Sequence, residues 1–248
     1  MSRVALLSRP QPVRDGVAQS LSDAGMAYID APTLRVTAHI DPDFEAHLPT
    51  QNYDGMVCIS QHAVFFAAER MAALNFAPAP DTWLAAVGVA TGQAIKEAWP
   101  NRLITPQVDD AQDTDGLWRA LQQAQVLSPA KRVLIIRAQT GRDALRERLQ
   151  NANIEVDIWS CYRRDILPWT PTQQAQVNHA LQQHGLVIAL TSIEGLHGLM
   201  QHLTSDVLQQ PVVTIHPAIA DAARQYGFER VVCVPPHQMS AALLAQRD

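Results

Sequence analysis

Short runs of almost uninterrupted apolar residues alternate along this chain with longer segments in which apolar residues recur at helical spacing. The runs VALL, GMVC, VLII and LVIAL have the form of strands that are buried on both faces. The segments between them carry stripes such as Val17 with Leu21 and Leu145 with Leu149, which place two apolar side chains on one helix face. This alternation predicts an α/β protein in which parallel sheets are covered by helices on both faces.

The same pattern occurs twice in the chain. Residues 3–32 resemble residues 132–159: each segment is a strand, a loop with Arg-Asp, an amphipathic helix and a second strand. Gly25 and Asn153 fall where the two helices end, a position that favours a left-handed backbone. Three further strand–helix pairs recur in order: 53–66 with 185–199, 83–98 with 211–227, and 103–121 with 231–245.

Ligands of such folds bind beyond the carboxyl ends of the parallel strands. Four residues occupy that position after their strands: Ser60, Gly88, Ser192 and His216. The sequence alone divides the two copies near Ser128-Pro129, but exchange of strand–helix–strand pieces between copies would give a discontinuous domain. Periodicity leaves both arrangements open.

Composition narrows the class of protein. The 248 residues are 47% hydrophobic and 17% charged, which is globular composition. A formal net charge of −5 argues against general nucleic-acid binding, although local arginines could still hold a small anion. We expect a soluble, cytoplasmic protein, because no signal peptide or membrane-length apolar segment is visible. Cys58, Cys161 and Cys233 form no C-x-x-C pair, so we expect buried thiols and no metal site.

The second copy, VLIIRAQTGRDALRERLQNANIEVDIWSCYRR, resembles the uroporphyrinogen-III synthase family in its strand ending in arginine, Gly-Arg turn and Tyr-Arg step. LLSRP, ISQHAV, AVGVAT, LTS and IHPAIADAARQYGF agree with the same family in order and spacing across nearly the whole chain. The resemblance implies two similar doubly wound parallel-sheet domains joined by two crossing strands. One domain would comprise residues 1–34 plus 167–248, and the other residues 35–166.

The resemblance also implies an activity. The family is a hydro-lyase of haem, sirohaem and cobalamin biosynthesis that cyclises hydroxymethylbilane to uroporphyrinogen III, with loss of water and inversion of the last pyrrole. It uses no metal and no organic cofactor. The expected partners are the small-molecule substrate and, transiently, the preceding pathway enzyme, with no nucleic acid or membrane and with the protein as a monomer.

One catalytic residue is predicted. Tyr162 matches the family's tyrosine and could donate a proton to the departing hydroxyl, because a weak acid suffices for so easy an ionisation. The alternative is a phenol packed at a strand end with its hydroxyl in water.

The substrate carries eight carboxylates, so its site needs donors. Arg9, Arg137 and Arg142 lie at or just after strand ends and could grip carboxylates, with Gly141 forming the turn before Arg142. The alternative is a solvated arginine or an ion pair with Asp143 or Asp15. The other predicted contacts lie where helices begin, and their alternative role as helix caps can coexist with anion binding by the free amides there: Ser60, Thr91 and Ser192.

Other readings of the sequence remain open at this level. The order of the motifs and Tyr162 favour the enzyme. The runner-up is a non-enzymatic two-lobed module that binds a small molecule or regulates, and the departures of His216 and Ile219 from the family's usual Gly and Thr favour such a degenerate relative. A dehydrogenase is disfavoured because no G-x-G-x-x-G follows a strand, and a serine hydrolase because ISQHA lacks the G-x-S-x-G elbow.

Overall fold

A computed structural model describes residues 2–11, 16–107, 110–141 and 143–247 of the chain. The chain divides into two compact units, residues 1–36 with 165–248 and residues 37–164. It passes from one unit to the other within the strands Leu34–Ala38 and Glu155–Ile166, which are neighbours in one sheet. Two strands therefore join the units.

The strands are short except for the long crossing strand. In chain order they are β1 (Val4–Leu7), β2 (Tyr28–Asp30), β3 (Leu34–Ala38), β4 (Gly55–Cys58), β5 (Trp83–Ala86), β6 (Leu103–Ile104), β7 (Arg132–Ala138), β8 (Glu155–Ile166), β9 (Leu186–Leu190), β10 (Val212–Thr214) and β11 (Val231–Cys233).

Helices connect these strands. They are α1 (Val17–Asp23), α2 (Pro42–His47), α3 (Gln61–Ala73), α4 (Val89–Ala98), α5 (Thr114–Gln123), α6 (Ala144–Asn151), α7 (Pro171–Gln183), α8 (Ile193–Met200), α9 (Pro217–Gln225) and α10 (Met239–Leu244). Short 3₁₀ helices cover Leu48–Thr50, Ser205–Gln209 and Pro236–Gln238.

The two sheets repeat one strand order. The first unit has β11-β10-β9-β1-β2, and the sheet of the second has β3-β8-β7-β4-β5-β6. Sequence-matched strands take matching places: β1 with β7, β2 with β8, β9 with β4, β10 with β5 and β11 with β6. The predicted α/β fold of two similar parallel sheets is thus confirmed, with parallel pairing in both units.

Burial follows the predicted pattern. Every residue of β4, β5 and β9 is buried, as expected for strands covered on both faces. Val17 and Leu21 face the core of the first unit, and Leu145 and Leu149 that of the second. The left-handed positions are also confirmed, with φ of +67° at Gly25 and +58° at Asn153.

The predicted burial of the three cysteines is correct for two of them. Cys58 and Cys161 are buried, but Cys233 is exposed, because it is the last residue of β11 at the edge of its sheet. Burial, together with the nearby Cys161, raises the pKa of the Cys58 thiol, and burial raises the pKa of Cys161 to about 12. Both thiols are thus protonated at neutral pH.

No described helix is long and apolar enough to cross a membrane.

Candidate active site

The position of Tyr162 depends on an irregularity in β8. Arg137 of β7 pairs with Ser160, whereas the next residue, Ala138, pairs with Tyr162, so β8 carries one extra residue there. Such a bulge bends the strand and re-aims the side chain that follows it. Tyr162 is consequently buried, with 1% of its surface exposed. The alternative of a phenol with its hydroxyl in open water is therefore wrong.

Two polar groups hold the Tyr162 hydroxyl. Its oxygen lies 2.8 Å from Ser60 Oγ, and Arg164 Nη2 donates to it across 3.2 Å. The ring of Phe66 stacks on the phenol at 5.8 Å between centroids, and the His62 ring is tilted against it at the same distance. The phenol thus has a fixed orientation.

The phenol ring lines a pocket of about 180 Å³ within the second unit. Its lining includes the apolar side chains of Ile59, Ile135 and Leu145 and the charged side chains of Arg137, Arg146 and Arg164. Among the described residues of this lining, the ionisable side chains other than Tyr162 are all arginines. The pocket is smaller than the roughly 300 Å³ at which sites for drug-sized ligands begin, so it suits one ring or one acidic arm of a larger anion.

Arg137 and Gly141 lie together at this pocket. Arg137 Nη1 donates to Asp143 Oδ1 across 2.9 Å, the ion pair that was the alternative to substrate contact. A Cβ added to Gly141 would lie 3.6 Å from the same Nη1 atom, so a side chain at this position would contact the guanidinium. Asp143 is also the residue before α6, yet its side chain makes no capping bond to that helix.

Ser60 and Ser192 cap helices, as their sequence positions suggested. Ser60 Oγ accepts from Ala63 N at the start of α3, and Ser192 Oγ accepts from Gly195 N at the start of α8. Thr91 differs: α4 begins after Gly88, so Thr91 lies buried in its first turn and is not the cap. The expectation that Thr91 caps its helix is therefore wrong. Thr91 is also not one of the described residues that line the Tyr162 pocket.

Arg9 and Ser192 belong to the first unit. Arg9 is 3% exposed, and its Nη2 lies 3.9 Å from Asp30 Oδ1 at the end of the neighbouring strand β2. The Thr33 hydroxyl lies 3.3 Å from Ser8 O and 3.0 Å from Gly195 O, which ties the loop after β1 to α8. These residues therefore form a second cluster at the carboxyl ends of β1 and β9.

Arg142 lies outside the described residues, so its assignment stays a prediction from the sequence. Across the described ranges, no group of three or more His, Cys, Asp or Glu side chains is placed to hold a metal ion.

Sequence reasoning missed Arg164, Arg146 and Thr140, which also line the pocket. A signal for Arg164 was present, because residues two apart on a strand point to the same side and Arg164 follows Tyr162 at that interval. Arg146 comes four residues after Arg142 in the sequence, but nothing in the sequence shows which face of α6 adjoins a pocket.

Fold and site together define a two-unit α/β protein with a buried phenol in an arginine-lined pocket. Residues 15–245 match the family model described as "Uroporphyrinogen-III synthase HemD". Because the match spans most of the chain, the protein belongs to the uroporphyrinogen-III synthase family.

Individual relatives agree with this family. The "Uroporphyrinogen-III synthase" of Proteus mirabilis is 24% identical over 163 residues, which cover 64% of this chain and 79% of that one. A mutant uroporphyrinogen III synthase from the extremely thermophilic bacterium Thermus thermophilus has a similar structure, with a TM-score of 0.64 and 15% identity over 98% of this chain and 96% of that chain. The structure of the uroporphyrinogen-III synthetase of Helicobacter pylori 26695 is also similar, with a TM-score of 0.64 and 13% identity over 99% of both chains. The structural likenesses show the shared fold.

Proposed function

We propose that this protein is a uroporphyrinogen-III synthase, a hydro-lyase that cyclises hydroxymethylbilane to uroporphyrinogen III. The observation that carries the proposal, within this family, is the fixed Tyr162 phenol in a pocket lined by arginines. A phenol can give a proton to a departing hydroxyl, and guanidinium groups can bind the carboxylate arms of a pyrrole.

The proposed reaction begins at the hydroxymethyl carbon. Tyr162 gives its proton to the hydroxyl, the C–O bond breaks, and water leaves while the positive charge spreads onto the pyrrole nitrogen. The substituted carbon of the last ring attacks this carbon and forms a spiro intermediate. The bond from that ring carbon to its original methylene bridge then breaks, and the bridge carbon bonds to the free α-carbon of the same ring, which inverts the ring. The proton finally lost from the pyrrole carbon returns to the phenolate, so Tyr162 is regenerated. No electrons are exchanged with a cofactor.

Geometry is the demanding part of this reaction, because a flexible four-ring chain must close through the substituted carbon of its last ring. Holding reacting groups in position can supply several kcal/mol of the barrier reduction. The proposed substrate contacts of the second unit are Arg137 and Gly141 at the pocket, Arg142 beside them in sequence, and Ser60 and Thr91 near helix starts. The proposed substrate contacts of the first unit are Arg9 and Ser192. The substrate's eight carboxylates give each arginine an acceptor.

The remaining expectations form part of the same proposal. The chain would form two domains, residues 1–34 plus 167–248 and residues 35–166, and would act as a monomeric cytoplasmic enzyme that contacts the preceding pathway enzyme only transiently. Among the contacts described, none favours the alternative of a non-enzymatic binding or regulatory module.

The test is an isomer analysis. Purified protein is mixed with freshly made hydroxymethylbilane, and the products are separated from those of a protein-free sample. The proposal expects the type III isomer to dominate over the type I isomer that forms spontaneously. Type I product alone, from protein that is folded, would favour the binding-module alternative.

A further inference from the structure

The contact between Arg164 and Tyr162 determines how the phenol can use its proton. Arg164 Nη2 lies 3.2 Å from Tyr162 Oη, and its Cζ lies 5.6 Å from the ring centroid. A guanidinium carries N–H donors and no acceptor, so Tyr162 Oη must accept in this bond. The charge over the ring face adds a cation–π contact that holds the same arrangement. Arg164 therefore occupies one lone pair of the phenol oxygen.

Ser60 can donate to the other lone pair of the phenol oxygen. Its Oγ already accepts from Ala63 N at the start of α3 and lies 2.8 Å from Tyr162 Oη. A serine hydroxyl has a single hydrogen, and this hydrogen can point to the phenol while Oγ accepts from Ala63 N. With Arg164 and Ser60 both donating, the phenol oxygen is saturated as an acceptor and its own O–H is left to donate.

We propose that Arg164 is a positioning residue for the cyclisation: together with Ser60 it holds Tyr162 as a proton donor and stabilises the phenolate left after proton transfer. This inference rests on the proposed function, since it concerns the proton that the hydroxyl of hydroxymethylbilane receives. The guanidinium beside the oxygen favours the negative charge that forms there, as charge-assisted hydrogen bonds do. Arg164 thus acts through Tyr162 and not on the substrate.

The competing role for Arg164 is direct binding of a substrate carboxylate, because it also lines the pocket. The two roles differ in kinetics. A residue that acts through Tyr162 should change kcat and leave KM alone, and its effect should vanish once the phenol hydroxyl is absent. A carboxylate-binding residue should raise KM, and its effect should persist without that hydroxyl.

The experiment is a double-mutant cycle on the full chain with hydroxymethylbilane as substrate. Arg164→Met removes donor and charge at similar length, and we expect kcat to fall about ten-fold with KM unchanged. Arg164→Lys, which keeps both, should recover most of the loss. In a Tyr162→Phe background, Arg164→Met should have no additional effect. Arg163→Met is the matched control, because Arg163 is exposed and its Nε contacts Thr37 Oγ1; its kinetics should equal those of the wild type.

A second readout is independent of activity. The chain has four tyrosines, so a ¹³Cζ-labelled sample gives few signals, and the one missing from Tyr162→Phe belongs to Tyr162. That signal should move in Arg164→Met and stay in Arg163→Met. An unmoved signal, a raised KM, or multiplying effects in the double variant would each overturn the inference. If wild-type protein makes no type III isomer, the proposed function fails, while the ¹³C signal still decides whether Arg164 controls the phenol.

Discussion

The Arg137 guanidinium is joined to the Asp143 carboxylate across 2.9 Å, and this ion pair spans the turn that leads from β7 into α6. Arg137 is 15% exposed and Asp143 46% exposed, so the arginine faces the pocket while its partner reaches solvent. A substrate carboxylate would compete with Asp143 for the same guanidinium.

This competition predicts opposite effects for the two partners. Arg137→Gln should raise KM about ten- to a hundred-fold, because a hydrogen bond to a charged group contributes roughly 1.5–3 kcal/mol. Asp143→Asn should lower KM by up to about five-fold, since a partly exposed ion pair is worth about 0–1 kcal/mol. Steady-state kinetics on both variants checks this. Changes of KM in the same direction would show that Arg137 does not hold the substrate.

Tyr162→Phe should reduce kcat about ten-fold without abolishing turnover. Departure of the hydroxyl is intrinsically easy, and a hydrogen bond contributes roughly 0.5–1.5 kcal/mol net. Single-turnover measurements should show the loss in the chemical step. A folded variant with no detectable activity would mean that the phenol has a role other than the one proposed.

Arg142→Ala tests a residue known from the sequence alone. If Arg142 grips a substrate carboxylate, capture should weaken about ten- to a hundred-fold while the melting temperature stays nearly the same. Added salt should reproduce part of the loss in the wild type, because screening weakens partly exposed ionic contacts. Unchanged kinetics with a lowered melting temperature would assign Arg142 to folding instead.

Because of the buried Tyr53 phenol, we expect the free energy of unfolding to fall at alkaline pH. Burial, reinforced by the hydrogen bond that Tyr53 Oη donates to Asp157 Oδ2 at 2.9 Å, raises the pKa of Tyr53 well above its usual value near 10. The folded state therefore keeps this proton while the unfolded state loses it. The contribution is fully present below pH 10 and declines as pH rises further, by about 1.4 kcal/mol per pH unit.

Denaturant unfolding between pH 9 and pH 11 measures this slope. In Tyr53→Phe the free energy of unfolding should fall less steeply above pH 10 than in the wild type, whatever its starting value. Tyr226→Phe is the control, because Tyr226 is 41% exposed, and its slope should match that of the wild type. Equal slopes in all three proteins would contradict the prediction.

His216 shows how a departure from the family pattern can be accommodated. Its Nδ1 accepts from Ala218 N at 3.1 Å, so the imidazole caps α9 where the family usually has glycine. Ile219, where the family usually has threonine, is 6% exposed and packs in the core of the first unit. The side chain of Ile219 thus has a packing role in this protein.

Features that depend on local periodicity could be predicted from the sequence. Apolar runs identified β4, β7 and β9, helical stripes identified α1 and α6, and the repeat predicted which strands correspond. Gly25 and Asn153 were identifiable as left-handed positions because a helix end imposes that conformation within one turn. The strand ends that carry Ser60 and Ser192 followed from the same local signals.

Long-range pairing decided the rest. Exchange of strands between the units is set by which edges pair, and β1 lies beside β9, which follows it by some 180 residues. The bulge at Tyr162 arises from the register of β8 against β7, and a one-residue shift turns a side chain to another environment. The contact of Ser60 with Tyr162 joins positions 102 residues apart, and so only the tertiary structure could bring the phenol, its serine and the arginine-lined pocket together.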